Sequence, residues 1–396
     1  MTSPRDASPT GTSSLLHEPP HRILVIFGTR PEAIKLCPLI AELRKDSSLR
    51  PIVCATGQHR EMLDQVLAAF QVQPDYDLNL MQPGQTLAQL TARLMTAIEP
   101  VIAQERPAMI VVQGDTATTL CGALSGFYAG IPVAHVEAGL RTFDLDTPFP
   151  EEMNRVVTSR LATLHFAATD WAAANLVREG VAPETITVTG NTGIDAVLAI
   201  RDALREGLLT AAPLPLAKDK KLIVITAHRR ESFGEGLARI CQAVNELAAR
   251  PDVQIVWPVH PNPHVRETVR SSFRTDCPIV FLEPLDYVAF VDLMARSYLV
   301  ITDSGGVQEE GPSLGKPILV LREKTERPEA VQAGTVRLVG TDRNSIVNAA
   351  TTLLEDARDY ETMARIHNPY GDGHASARIS QSIAAYCAAK SVNKYK

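Results

Sequence analysis

Residues 22–35 read RILVIFGTRPEAIK, a run of branched apolar residues, then a glycine, then a polar turn leading into a helix-length segment. The apolar run does not alternate with polar residues, so both faces of this strand are covered, as in a parallel sheet. Gly28 permits the turn, Pro31 suits a first helical position and Glu32 suits a first helical turn. The same unit recurs at PIVCATG (51–57), AMIVVQGD (108–115), PVAHVEAG (132–139), TLHFAA (163–168) and TITVTG (185–190). A second series follows at KLIVITAH (221–228), VQIVWPVH (253–260), CPIVFLEP (277–284), YLVITDSGG (298–306) and PILVLRE (317–323). The polar, proline-containing stretch 201–220 separates the two series. The fold class is therefore α/β, with two Rossmann-like, doubly wound domains facing a cleft, over residues 22–200 and 201–370.

Composition agrees with that division. A chain of 396 residues exceeds the size at which single cores stop growing, roughly 250–300 residues. A net charge of −6 argues against a general nucleic-acid binder, which needs a basic footprint. A few focused Arg and Lys residues still suffice for an anionic substrate. Six scattered cysteines without C-x-x-C spacing point to reduced, packing cysteines in a cytoplasmic protein. No apolar run approaches the ~18 residues of a membrane helix. Residues 1–21, rich in Ser, Thr and Pro, are expected to form a disordered tail outside the chemistry.

Ligands of open α/β sheets bind beyond the carboxyl ends of the strands. Here those ends carry Arg30, Asp115, Glu137, His228, His260 and Ser304, an excess over the small turn residues of an ordinary sheet. The site is expected between the domains. In TDSGGVQEEGPSLGKP (302–317), Ser304, Gly305 and Gly306 open a helix after a strand ending at Asp303. Small residues there let a diphosphate approach backbone N–H groups, although a plain tight turn with a helix cap has the same spelling. Glu310, beyond the first turn, is placed to accept from ribose hydroxyls. There is no Walker loop and no G-x-G-x-x-G, so nicotinamide and ATP are poor candidates and no cofactor is expected. Metal binding is unlikely on the same grounds, since no ligand spacing such as H-E-x-x-H is present.

Arg30 and Lys35 bring two cations towards the cleft; Lys35 taken alone also fits a solvated helix face. HVEAGLRTFDLDTPFPEEMNR (135–155) holds several charges, most of them explicable by solvation. Glu137 differs, because it ends an apolar run where an acid is costly unless paired. Asp115 invites the same argument, and two such acids side by side can split their pKa values into base and acid. His228, followed by Arg229 and Arg230, can donate to a phosphate oxygen or protonate a leaving group. A lone strand-end histidine is more often structural, but two arginines follow this one. Arg327 lies beyond another strand, and His260 sits in a proline-locked turn that it can serve to shape.

Together, GTRPEAIK, TGQHREML, GDT, HVEAGLRT, PFPEEMNR, HRRESFG, PVHPNP, TDSGGVQEE, ERPEA, AGTVRLVG and NPYGDGHAS, in order across roughly residues 22–385, resemble the motifs of the non-hydrolysing UDP-N-acetylglucosamine 2-epimerases. Departures are small: Leu36-Cys37 follows the first motif, and Ala227 precedes His228 where Gly is common. The resemblance implies a glycosyltransferase-B-like architecture, with a C-terminal helix in 371–396 packing back on the N-terminal domain. It implies a homodimer that interconverts UDP-N-acetylglucosamine and UDP-N-acetylmannosamine for surface polysaccharide synthesis, through elimination of UDP to a 2-acetamidoglucal. On that reading Asp115, Glu137 and Glu151 form the acid–base set, with the face each serves left open. Arg30, Lys35, His228 and Arg229 would cage the diphosphate, Ser304, Gly305, Gly306, Glu310 and Arg327 would bind UDP, and Arg141 would be a further substrate contact. A second UDP-N-acetylglucosamine would act as an activator at Gln58, Arg93 and His260. The other readings are a glycosyltransferase of the same fold, a hydrolysing epimerase and a non-catalytic nucleotide-sugar sensor.

Overall fold

A computed structural model describes residues 19–57, 60–274 and 277–393. The first sheet contains β1 (His21–Phe27), β2 (Leu49–Ala55), β3 (Tyr76–Asp77), β4 (Met109–Gln113), β5 (Val133–Ala138), β6 (Leu164–Ala167) and β7 (Ile186–Val188). The second contains β8 (Lys221–Thr226), β9 (Val253–Pro258), β10 (Ile279–Leu282), β11 (Leu299–Thr302), β12 (Ile318–Val320) and β13 (Val336–Leu338). Their orders are β3-β2-β1-β4-β5-β6-β7 and β10-β9-β8-β11-β12-β13. Every pairing is parallel. This is the doubly wound order, so each sheet reverses direction once, between β1 and β4 and between β8 and β11.

The strands read from the apolar runs are present where the sequence puts them. The edge strands β3 and β13 were not foreseen, because two or three residues are too few to carry a pattern. The central strands are the least exposed: Ile23 to Phe27 and Ile223 to Ile225 have no solvent-accessible surface. Covering helices begin where the turn chemistry says they should. Thr29 caps the helix Arg30–Lys45 through a capping box with Glu32, and Pro31 occupies its first turn.

The helix Thr192–Arg205 runs through position 200/201, where the sequence reading divides the chain. It packs on the helix Arg30–Lys45 of the first unit and on Tyr287–Arg296 and Gly305–Ser313 of the second. The chain returns beside it, with the Asn191 amide donating to the Tyr370 carbonyl at 2.7 Å. A Cβ on Gly190 would stand 3.3 Å from the Gly371 Cα, so the two crossings touch backbone to backbone. The last helix, Ala375–Asn393, packs against Arg30–Lys45 and Thr192–Arg205. The two sheets thereby present their reversal points to one another.

Candidate active site

At the first reversal point, β4 ends at Gln113 and the left-handed Gly114 turns the chain so that Asp115 follows. Arg155 Nη1 lies 3.1 Å from the Asp115 carboxylate, and Asn154 Nδ2 donates to the Asp115 carbonyl at 2.8 Å. Burial pushes the Asp115 carboxyl up to about 6; Arg155 and Lys35 pull it down, while Glu137 and Glu151 push it further up. Glu137 sits at an irregularity in the β5–β6 pairing, with φ at +62°, a left-handed conformation uncommon for a residue other than glycine. Its carboxylate is held by the Lys35 ammonium and by Gln113 Nε2. Burial disfavours the Lys35 charge, but the Glu137 and Glu309 carboxylates outweigh it and raise the pKa.

Glu151 and Glu152 open the helix Glu151–Leu161 side by side, yet they do different work. Glu152 is buried, accepts from the Thr142 and Phe143 amides at 3.1 and 3.0 Å, and pairs with Arg155. It shapes the preceding loop and steadies the arginine beside Asp115. Glu151 makes no such bond among the described residues.

At the second reversal point the chemistry is cationic. Asp303 accepts from the His228 and Arg229 amides at 2.6 and 2.7 Å, and His228 Nδ1 lies 3.0 Å from its other oxygen. Burial pushes the Asp303 carboxyl up, but the imidazole and the two amides outweigh it and hold the group below its usual range. The His260 ring stacks on His228, centroids 5.0 Å apart, and its pKa is lowered by burial and by His228. Ser304 caps the helix Gly305–Ser313 without a side-chain hydrogen bond to it, so the terminal N–H groups keep their capacity for an anion. A Cβ on Gly305 would stand 2.6 Å from Arg327 Cζ; glycine lets the guanidinium lie against the helix start.

Glu309, buried in the same helix, accepts from Arg327 Nε at 2.6 Å and from Asn191 Nδ2 at 3.1 Å. A line of alternating charge, Glu137–Lys35–Glu309–Arg327, thus crosses from one unit to the other. Burial, reinforced by Glu309, pushes Glu310 up to about 8, with Lys35, Tyr287 and Arg30 opposing. A narrow cavity between the units is lined by Glu137, Asn191, Glu309, Arg327, Glu329 and Tyr370. This arrangement joins acid–base carboxylates to a cationic, amide-rich strand end, as proton transfer beside a phosphorylated leaving group requires.

A family model for UDP-N-acetylglucosamine 2-epimerase matches residues 41–384. A probable UDP-N-acetylglucosamine 2-epimerase of Ralstonia solanacearum is 53% identical over 373 residues, covering 93% of this chain and all of its own. The UDP-N-acetylglucosamine 2-epimerase of Escherichia coli K12 is 52% identical, covering 91% of this chain and 98% of its own. The chain belongs to the UDP-N-acetylglucosamine 2-epimerase family. Among solved 2-epimerases, the Neisseria meningitidis enzyme bound to UDP-GlcNAc superimposes with a TM-score of 0.85 at 46% identity, covering 91% of this chain and 99% of that one.

Against this family frame, two sequence-predicted residues are placed differently. Arg141 was expected among the substrate contacts. Its guanidinium is instead buried and taken by both Glu179 oxygens at 2.8 and 2.9 Å and by Ser159 at 2.9 Å, leaving it closed to a ligand. Arg93 binds the Leu80 carbonyl and Gln85 at 3.3 and 2.7 Å, tying down its own loop rather than meeting His260. Gln58 lies outside the described residues. Arg30, at the start of its helix, reaches Met62 Sδ at 3.6 Å and bears electrostatically on Glu310 and Tyr287 of the other unit. Arg229 keeps a buried Nε with no partner among the described residues.

Three residues that the structure sets beside the predicted ones were not predicted as site residues: Gln113, Asp303, which was read only as a strand end, and Glu309. Gln113 ends β4 and Asp303 directly follows β11, a signal that was available. Glu309 was passed over for its neighbour Glu310, because which of two adjacent helical acids faces inward depends on the helix's rotation.

Proposed function

We propose that this chain interconverts UDP-N-acetylglucosamine and UDP-N-acetylmannosamine by eliminating UDP and adding it back. The observation that carries the reading is the convergence of Asp115 from the turn after β4, Glu137 from β5 and Glu151 from the start of the helix Glu151–Leu161, opposite the cationic strand end of the second sheet. A direct loss of the C2 proton has a prohibitive barrier. In the proposed reaction one carboxylate takes that proton, and the C2–H bonding pair becomes the second bond between C1 and C2. The C1–O bond breaks, and its electrons leave on the β-phosphate oxygen of UDP. The products are a 2-acetamidoglucal and UDP. The phosphate oxygen then attacks C1 again, and C2 takes a proton from a carboxyl group on the opposite face.

Asp115, with its carboxyl near 6, suits either half of that exchange near neutrality. Arg30, Lys35, His228 and Arg229 are assigned to the diphosphate, and Ser304, Gly305, Gly306 and Arg327 to UDP at the helix start. Glu310, pushed up to about 8, holds its proton near neutrality and so can donate to UDP as well as accept from it. Incubation with UDP-N-acetylglucosamine alone in deuterium oxide tests the reading. Two UDP-sugars are expected, both carrying deuterium at C2. Free sugar would indicate a hydrolysing enzyme, unchanged substrate a transferase or sensor, and retained C2 hydrogen would overturn the elimination.

We further propose that the enzyme is a cytoplasmic homodimer activated by a second UDP-N-acetylglucosamine. Six unpaired cysteines favour a reducing compartment. Phe127 and Tyr128, exposed on the first unit, support a second copy. The stacking of His260 on His228 gives a ligand at His260 a direct path to a residue assigned to the diphosphate. Sedimentation settles the dimer. A lag with pure UDP-N-acetylmannosamine, abolished by trace UDP-N-acetylglucosamine, is the expected sign of activation.

A further inference from the structure

Strand β5 and the helix Glu151–Leu161 supply Glu137 and Glu151, and each also sends a buried side chain to the turn that presents Asp115. From β5, His135 has no accessible surface and its Nε2 lies 2.7 Å from the Gly114 carbonyl oxygen. A bond to a carbonyl requires Nε2 to carry the proton. Its Nδ1 has no partner among the described residues. From the helix, the buried Asn154 donates to the next carbonyl, that of Asp115, at 2.8 Å. Two successive carbonyls of one left-handed turn are thus held by the two elements that carry the other two acids.

We infer that His135 and Asn154 are positioning residues, a clamp that fixes Asp115 in register with Glu137 and Glu151. The geometry gives the reason. Gly114, at φ +70°, has no side chain of its own to anchor the turn, and a Cβ there would meet nothing within 4 Å. The contact with Arg155 holds only the carboxylate, not the backbone that aims it. His135 lies two residues before Glu137 in β5, and Asn154 three residues after Glu151 in the helix. A shift of either element therefore carries its acid and its half of the clamp together. Burial holds the His135 imidazole down to about 3, so the ring stays neutral and its donor pattern does not change across the working pH range. A neutral ring suits a mechanical role and not proton transfer.

The inference rests on the assignment of Asp115 to the acid–base set, and the test separates the two. His135→Leu removes the donor at similar bulk; His135→Gln keeps an N–H near the Nε2 position. Misplacing a reacting group by about 1 Å can cost about 10²-fold, so His135→Leu is expected to lower kcat by about 10- to 100-fold. Binding of UDP, measured by calorimetry, should stay within about threefold, because His135 and Asn154 hydrogen-bond the Asp115 turn and none of the residues assigned to UDP. His135→Gln should recover most of the rate, whereas Asn154→Leu, which removes the other donor, should lower it as His135→Leu does. The decisive measurement adds His135→Leu to Asp115→Asn. A clamp acting through Asp115 costs nothing further in that background, whereas a merely structural residue costs as much as it does in the parent. Full additivity, or a normal rate in His135→Leu while Asp115→Asn is inactive, overturns the clamp and leaves the function standing. A normal rate in Asp115→Asn overturns the reading beneath it. Circular dichroism on each variant keeps loss of fold separate from loss of rate.

Discussion

Each sheet has a buried carboxylate at its reversal point, and the two behave oppositely. Glu32 accepts from the Gly28 and Thr29 amides at 3.1 and 2.7 Å and from Thr116 Oγ1 at 2.8 Å. Asp303 accepts from the His228 and Arg229 amides and faces the His228 ring. Both stitch strand-end loops together through two consecutive N–H groups. Yet burial wins at Glu32 and raises its pKa, while at Asp303 the histidine and amides win and lower it. The difference is the charge of the partners. Hydroxyls and amides alone do not offset the cost of burying a carboxylate, but an added imidazole that can carry charge does. A buried acid of the first unit thereby holds its proton more tightly than usual, and one of the second less tightly.

The strongest way to break this contrast is to neutralise the acids. Asp115→Asn, Glu137→Gln and Glu151→Gln are each expected to cut kcat by at least about 10²-fold, with UDP affinity much less affected. Steady-state kinetics paired with calorimetry checks this, and near-normal rates in all three would end the assignment.

The next largest effect separates the two stitches by their pH dependence. Asp303 has a depressed pKa, so its stabilisation is present above the usual ~3.9 and is lost as pH falls through the folded value. Asp303→Asn should therefore cost about 1.5–3 kcal/mol at neutral pH, and the deficit should shrink towards acid. Glu32 has a raised pKa, so the folded state holds its proton more tightly, and stability falls as pH rises past the usual ~4.3. Glu32→Gln should accordingly lose least, relative to the parent, at neutral pH and most in acid. Calorimetric melting from about pH 2 to 8 reads both slopes, Asp303 below and Glu32 above about pH 4, and parallel slopes would erase the distinction.

A smaller effect tests the anion side alone. Gly305→Ala places a methyl on the Arg327 guanidinium and should weaken UDP binding by about tenfold, roughly 1.4 kcal/mol, with the C2 exchange chemistry intact in bound complexes. The smallest concerns the acid side. Arg155 holds the Asp115 carboxyl down, so Arg155→Gln should move the rise in kcat with pH, expected near 6, to higher pH. A limb that stays in place would mean that Asp115 is not the group it reports.

The apolar runs and turn glycines of this chain determine by themselves that it forms two parallel, doubly wound sheets, and the strand-end rule then locates the cleft. Those properties are local: a strand buried on both faces must be apolar throughout, and a turn must have residues that tolerate it. The identity of the chemistry was legible too, since Asp115, Glu137, His228 and Arg327 are ionisable residues at or just beyond strand ends. Only the tertiary structure decided which charges were already taken. Arg141 and Arg155 look alike in sequence, but Glu179 closes off one while Asp115 uses the other. Glu309 and Glu310, like Glu151 and Glu152, are neighbours whose roles diverge by the rotation of a helix. A charged side chain reveals its chemical type in sequence, but its partner can lie 274 positions away, as with Glu309 of the second unit, paired electrostatically with Lys35 of the first. The pairing energy belongs to the contact and not to either residue, so it exists only once the two sheets face each other.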